Sequence, residues 1–154
     1  MTSSPSPAEV QFWLEWAGGK LLGTQVFGVW PQSYRSFWPD YPDEQHTAYG
    51  YTQEKLKLPS PGSNEIPLMD EILSLVLLTP VTVQRRIISA RILVHPLNGR
   101  NLYSWVRIAE TIHSERRAVK EQYRKGLGII VGNVQDIVVI KVRAFFSSSP
   151  PHAS

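Results

Sequence analysis

A mainly α-helical bundle with a C-terminal helix-turn-helix is the fold this sequence predicts, and three observations predict it. Apolar residues recur at helical spacing near the N-terminus, over about 67–92 and again over 104–134. Ser6-Pro7 and Thr79-Pro80 each join a capping residue to a first-turn proline, the pair that opens a helix. Finally, Ser104–Tyr123, SWVRIAETIHSERRAVKEQY, sets two short apolar stripes on either side of a tight turn, the spacing of two crossing helices.

In chain order, residues 1–6 are polar and proline-rich and are expected to be a disordered tail. Ser6-Pro7 starts a first helix that Val10, Trp13, Leu14, Ala17 and Leu21 carry to about Leu22. Gly18 and Gly19 predict a kink or a close packing contact. From Val26 to Tyr51 aromatics and prolines crowd together. Trp30-Pro31, Trp38-Pro39 and Tyr41-Pro42 are extended or turn dipeptides, so an irregular loop is predicted. Its rings, Tyr34, Trp38 and Tyr49 among them, are expected to pack on the core rather than stack bases beside Arg35, because the run Asp40–Glu44 is acid-rich.

Pro31, Tyr34-Arg35-Ser36, Trp38-Pro39, Ala48-Tyr49-Gly50-Tyr51, the spacer LPSPGSNEIP and Met69-Asp70-Glu71 stand in an order that resembles a small uncharacterised family of phages and prophages. The matching order covers roughly Glu9 to Val134. That resemblance implies a helical, regulatory protein of phage type with a helix-turn-helix similar to the last domain of sigma factors. It implies no activity and no catalytic residue.

LPSPGSN is a linker by composition. Leu68, Ile72, Leu75, Val76 and Leu77 predict a buried central helix from about Pro67 to Leu78. Thr79-Pro80 opens the next, with Val83, Ile87, Ile88 and Ile92 inward and Arg85, Arg86 and Arg91 outward. His95-Pro96 ends it, and Asn98-Gly99 turns the chain towards Ser104, a cap, and Trp105, an anchor.

Residues 104–125 form the predicted helix-turn-helix, within a single helical domain spanning 7–134. Its core is Ile108, Ala109, Ile112, Val119 and Tyr123, with Ala109 as the small residue at the crossing. His113 takes the turn position where glycine is usual, and histidine tolerates a left-handed backbone better than most residues. Ser114 and Gln122 also depart from the common pattern, each standing where an apolar residue is more usual. The helix after Ser114 presents Arg116, Arg117, Lys120 and Arg124 as a positive ridge and runs to about Val134, with a kink or early end plausible at Gly126 and Gly128. Such a helix lies in the major groove, its first turns at base edges and its flanking cations at phosphates. The expected DNA-binding set is Ser114, Glu115, Arg116, Arg117, Lys120, Glu121, Arg124 and Lys125, with Arg117 and Glu121 as a base-reading pair.

Residues 135–146, QDIVVIKVRAFF, are β-branched and aromatic. Two readings stand: a strand that pairs with a second subunit or with the N-terminal region, serving self-association, or a packed C-terminal helix. Residues 147–154 form a second disordered tail.

Charge supports the functional reading. Between Pro80 and Lys125 ten basic residues face three acidic ones, a net of +7, while six against ten give −4 elsewhere. A module that meets a polyanion has that asymmetry. His46, His95, His113 and His152 are scattered, and no HxxxH or HExxH spacing joins them, so no metal, no cofactor and no enzymatic activity is expected. Asp70 and Glu71, early in a helix, suit its dipole. Without cysteine, a signal-peptide pattern or an apolar run of roughly 20 residues, a soluble cytoplasmic protein is expected, nucleoid-associated if it binds DNA. The leading expectation is a transcriptional regulator on double-stranded DNA, as a homodimer or higher homo-oligomer. The alternatives are a packaging protein similar to a terminase small subunit, and an interaction module that binds a host or phage protein on the same scaffold.

Overall fold

The computed structural model describes residues 3–23, 61–95 and 98–148. The aromatic and proline-rich loop expected over Val26–Tyr51, the segment up to residue 60 and the last six residues lie outside them. The described residues form a helical bundle: α1 (Pro7–Gly23), α2 (Glu65–Ser74), α3 (Thr82–Arg91), α4 (Trp105–Ile112), α5 (Arg116–Asn133) and α6 (Asp136–Ser148), with a 3-10 turn at Leu75–Leu78. α5 is the central strut and packs on α1, α3 and α4.

α1 begins as Ser6-Pro7 predicts. The Ser6 hydroxyl accepts from the Glu9 amide at 3.2 Å and the Glu9 carboxylate accepts from the Ser6 amide at 3.4 Å, a reciprocal capping box. Val10, Trp13, Leu14 and Ala17 are buried. Of the two outcomes expected at Gly18, close packing is the one found: a Cβ there would land on the Ile92 carbonyl.

The helix expected over Pro67–Leu78 starts at Glu65 and tightens into the 3-10 turn at Leu75. Leu68, Ile72, Leu75 and Val76 are buried, but Leu77 is 65% exposed, because the tighter winding rotates it off the inward stripe. The Thr79-Pro80 start signal is displaced. Thr79 is extended and closes the 3-10 turn, and α3 starts at Thr82 with Val81 as its cap. Arg85 folds back to donate to the carbonyls of Thr79 and Leu77, so it satisfies a helix end instead of facing solvent. Ile87, Ile88 and Ile92 are buried as expected, whereas Val83 is exposed.

Between α3 and α4 the chain doubles back through an isolated bridge, Val94 to Asn101. Gly99 has φ 67°, and the Asn98 side chain accepts from the Arg100 amide at 2.9 Å, the turn that Asn-Gly predicts. α5 then passes Gly126 and Gly128 as one helix to Asn133.

Of the two readings of residues 135–146, the packed C-terminal helix is the one found and the strand is corrected: α6 covers Asp136–Ser148, and no strand is present among the described residues. The physical reason is tertiary. Val139 and Val142 are buried, Phe145 and Phe146 meet Trp16 edge-on at 5.6 and 5.3 Å, and Arg143 binds both carboxylate oxygens of Glu9, at 2.7 and 2.9 Å. Packing on α1 outweighs a β propensity whose scale spans only about 1 kcal/mol per residue and depends strongly on context. Arg143 also donates to the Ser3 carbonyl at 3.0 Å, and Pro5 is buried. Ser147 and Ser148 complete α6.

Candidate nucleic-acid interface

α4 and α5 are joined by a three-residue turn, residues 113–115. The Ser104 hydroxyl caps α4 by accepting from the Arg107 amide at 3.2 Å. His113 ends the helix at φ 58° and ψ 44°, left-handed, and is the one non-glycine residue with positive φ among the described residues. Two bonds close the turn: Ser114 N–H to the Ala109 carbonyl at 3.0 Å and His113 N–H to the Glu110 carbonyl at 3.3 Å. Ile108, Ala109, Val119 and Tyr123 are buried, and half-buried Ile112 packs against the same core.

On the opposite side, Ser114, Glu115, Arg116, Arg117, Lys120, Glu121, Arg124 and Lys125 are all exposed; at about 100° per residue Arg116, Lys120, Arg124 and Arg117 fall within about 100° of the α5 circumference, and Lys125 lies about 180° from Arg116. The five cations have no carboxylate within ion-pair reach among the described residues. The ion pairs found there belong to Lys20–Glu65, Lys141–Glu71 and Arg143–Glu9. Glu121 shares the face without pairing to Arg117. Glu115 caps α5 by backbone geometry alone, its side chain making no capping bond. A shallow groove runs beside the turn, lined by Val106, Ala109, Glu110, His113, Ser114, Glu115 and Arg116.

Behind the ridge is a cluster that sequence reasoning found only in part. Trp105 is the expected anchor and meets the Tyr123 ring edge-on at 5.2 Å. Two cations also lie against its indole: the Arg91 guanidinium at 4.3 Å and the Lys120 ammonium at 5.8 Å. Arg91, expected outward, is turned in and donates to the Tyr103 carbonyl at 2.9 Å. Burial lowers its pKa from the ordinary arginine value, and burial likewise pushes the Tyr123 phenol up to about 12.

Gln122 stands where an aliphatic residue is commoner, and the structure supplies the reason. Its side-chain oxygen accepts from Gln84 of α3 at 2.8 Å, a polar pair set between two packed helices. Gln84 is only 5% exposed. Its signal in the sequence was its place on the same stripe as Ile87 and Ile88.

Among the described residues, no cluster of three or more His, Asp or Glu side chains could hold a metal ion, and no helix is long and apolar enough to cross a membrane. A family model described as a domain of unknown function, DUF6362, matches residues 25–130, which takes in α2, α3, α4 and most of α5. No curated protein and no solved structure matches the chain.

Proposed function

From the premise that the chain belongs to the DUF6362 family, whose function is undescribed, we propose that it is a double-stranded DNA-binding protein that lays α5 in the major groove. The observation that carries this is the ridge itself: Arg116, Arg117, Lys120 and Arg124, with Lys125 on the adjoining flank, stand exposed with no carboxylate partner among the described residues, on a helix joined to α4 by a left-handed turn. Cations without a carboxylate partner are free to replace the counterions of a phosphate backbone. α3 packs on α5 in the manner of a three-helix binding unit, and Arg117 and Glu121, near the start of α5, would meet base edges on this reading. The resemblance to phage and prophage proteins with a sigma-like helix-turn-helix supports a regulator of transcription.

Fluorescence anisotropy on duplex DNA across a salt series tests this. Binding should weaken steeply with salt, and the Arg116→Ala, Arg117→Ala, Lys120→Ala triple variant should lose about one to two units of that slope, at up to roughly one unit per lost phosphate contact, with Arg117 assigned to base edges. No binding at low salt removes the proposal.

A second reading is favoured by α6, whose outer face carries Ile137 at 70% and Ile140 at 53% exposure. Exposed aliphatics side by side suit a protein contact, either self-association or a host or phage partner. Stable partner binding by a chain with no DNA affinity would establish that reading in place of the first.

A further inference from the structure

Lys120 differs from the other cations of the ridge. Arg116, Arg117, Arg124 and Lys125 meet no ring among the described residues, whereas the Lys120 ammonium lies over the Trp105 indole, on the neighbouring helix. That indole is itself held from two sides. Tyr123 meets it edge-on at 5.2 Å, and the Arg91 guanidinium, tethered through its bond to the Tyr103 carbonyl, covers it at 4.3 Å. Trp105 follows the Ser104 cap directly, so its backbone is also fixed. A lysine side chain loses rotamer entropy when it is immobilised. One that already rests on a fixed aromatic face has lost part of that freedom before any ligand arrives.

We propose that Trp105 is a positioning residue for DNA binding: its indole holds the Lys120 ammonium where a backbone phosphate is met, while Arg91 and Tyr123 hold the indole. The inference rests on the DNA-binding reading above. It makes Lys120 a phosphate contact of fixed geometry, unlike the arginines at the start of α5, which remain free to adjust to base edges. An exposed cation–π contact of this kind changes affinity by about two- to fivefold.

The test is a double-mutant cycle on duplex binding, with the wild-type chain, Trp105→Leu, Lys120→Ala and the pair. Trp105→Phe runs in parallel and keeps a ring in the packed site should Trp105→Leu not fold. Thermal melts establish that each variant is folded. Trp105→Leu is expected to weaken binding about two- to fivefold with Lys120 present and to have no effect in the Lys120→Ala background. Trp105→Phe should fall between wild type and Trp105→Leu. Equal losses in both backgrounds would mean that Trp105 only supports the fold, and tighter binding by Trp105→Leu would mean that the ring withholds Lys120 from DNA. Either result overturns the proposal. If the wild-type chain itself does not bind at low salt, the DNA-binding reading fails instead, which is a separate result.

Discussion

His113 pays for the turn between α4 and α5 with a left-handed backbone, at φ 58° and ψ 44°. For a residue with a Cβ that conformation costs roughly 1–2 kcal/mol. His113→Gly should therefore stabilise the protein by up to about 1 kcal/mol, and His113→Val, which adds β-branching, should destabilise it by about as much or more. Urea denaturation measures both, and a loss of stability in His113→Gly would mean that the imidazole contributes more than the strain costs. Glu9 is a second residue whose environment predicts behaviour. Its hydrogen bonds from Arg143, with the guanidinium charge, hold the carboxyl below its ordinary value of 4.5 against the opposing effect of burial. A depressed carboxylate pKa stabilises the fold above the unfolded value, and that contribution is lost as pH falls through the folded one. The Tm difference between wild type and Arg143→Gln should thus be present at neutral pH and close below 4.5. Both side chains are 30% exposed, so the difference should be modest.

At the scale of elements, Gly18, Gly126, Gly128 and Gly132 separate into three kinds. A Cβ on Gly18 would strike the Ile92 carbonyl, backbone that cannot yield, whereas one on Gly126 would come within 2.6 Å of Ile88 Cδ1, the far end of a side chain. At Gly128 and Gly132 it would meet nothing within 4 Å. Gly18→Ala should cost about 1–3 kcal/mol or more, and Gly126→Ala less. Gly128→Ala and Gly132→Ala should each gain up to about 1 kcal/mol from helix propensity. Denaturant midpoints would rank the four, and a neutral Gly18→Ala would mean that α1 and the end of α3 do not approach this closely. The same distinction between local and distant causes explains what was legible in the sequence. Ser104 and His113 act on neighbours a few residues away, so the α4 cap and the turn into α5 followed from spacing. α6 did not: what makes Ile137–Phe146 a helix is Trp16 and Glu9, more than a hundred residues earlier. Arg85 and Arg91 depart from the outward placement that periodicity predicts for a related reason, since the carbonyls they satisfy belong to a turn and a connection that periodicity does not resolve.

The whole molecule is larger than its matched family segment. The match to residues 25–130 omits α1 and α6. Yet Val10 and Leu14 from α1 and Val142 from α6 are fully buried, with Trp13 and Val139 at 2% and 1% exposure, in one cluster with Ile72, Ile88 and Ile130. Burying each large apolar side chain contributes roughly 1.5–3 kcal/mol. Five of them together are comparable to the about 5–15 kcal/mol that holds a domain folded. α5 makes the dependence direct, because the helix bearing the positive ridge packs against α1 along its inner side. A chain cut to residues 25–130 should therefore lack the cooperative thermal transition and the near-ultraviolet circular dichroism of the full chain, while keeping some helical signal in the far ultraviolet. It should also bind DNA more weakly than the full chain even though it retains all five cations, because an ordered ridge and not its charge alone sets the geometry. If the shortened chain melts cooperatively near the Tm of the full one, the α3–α5 unit is stable by itself. In that case α1 and α6 are an attachment to the fold and not part of its core.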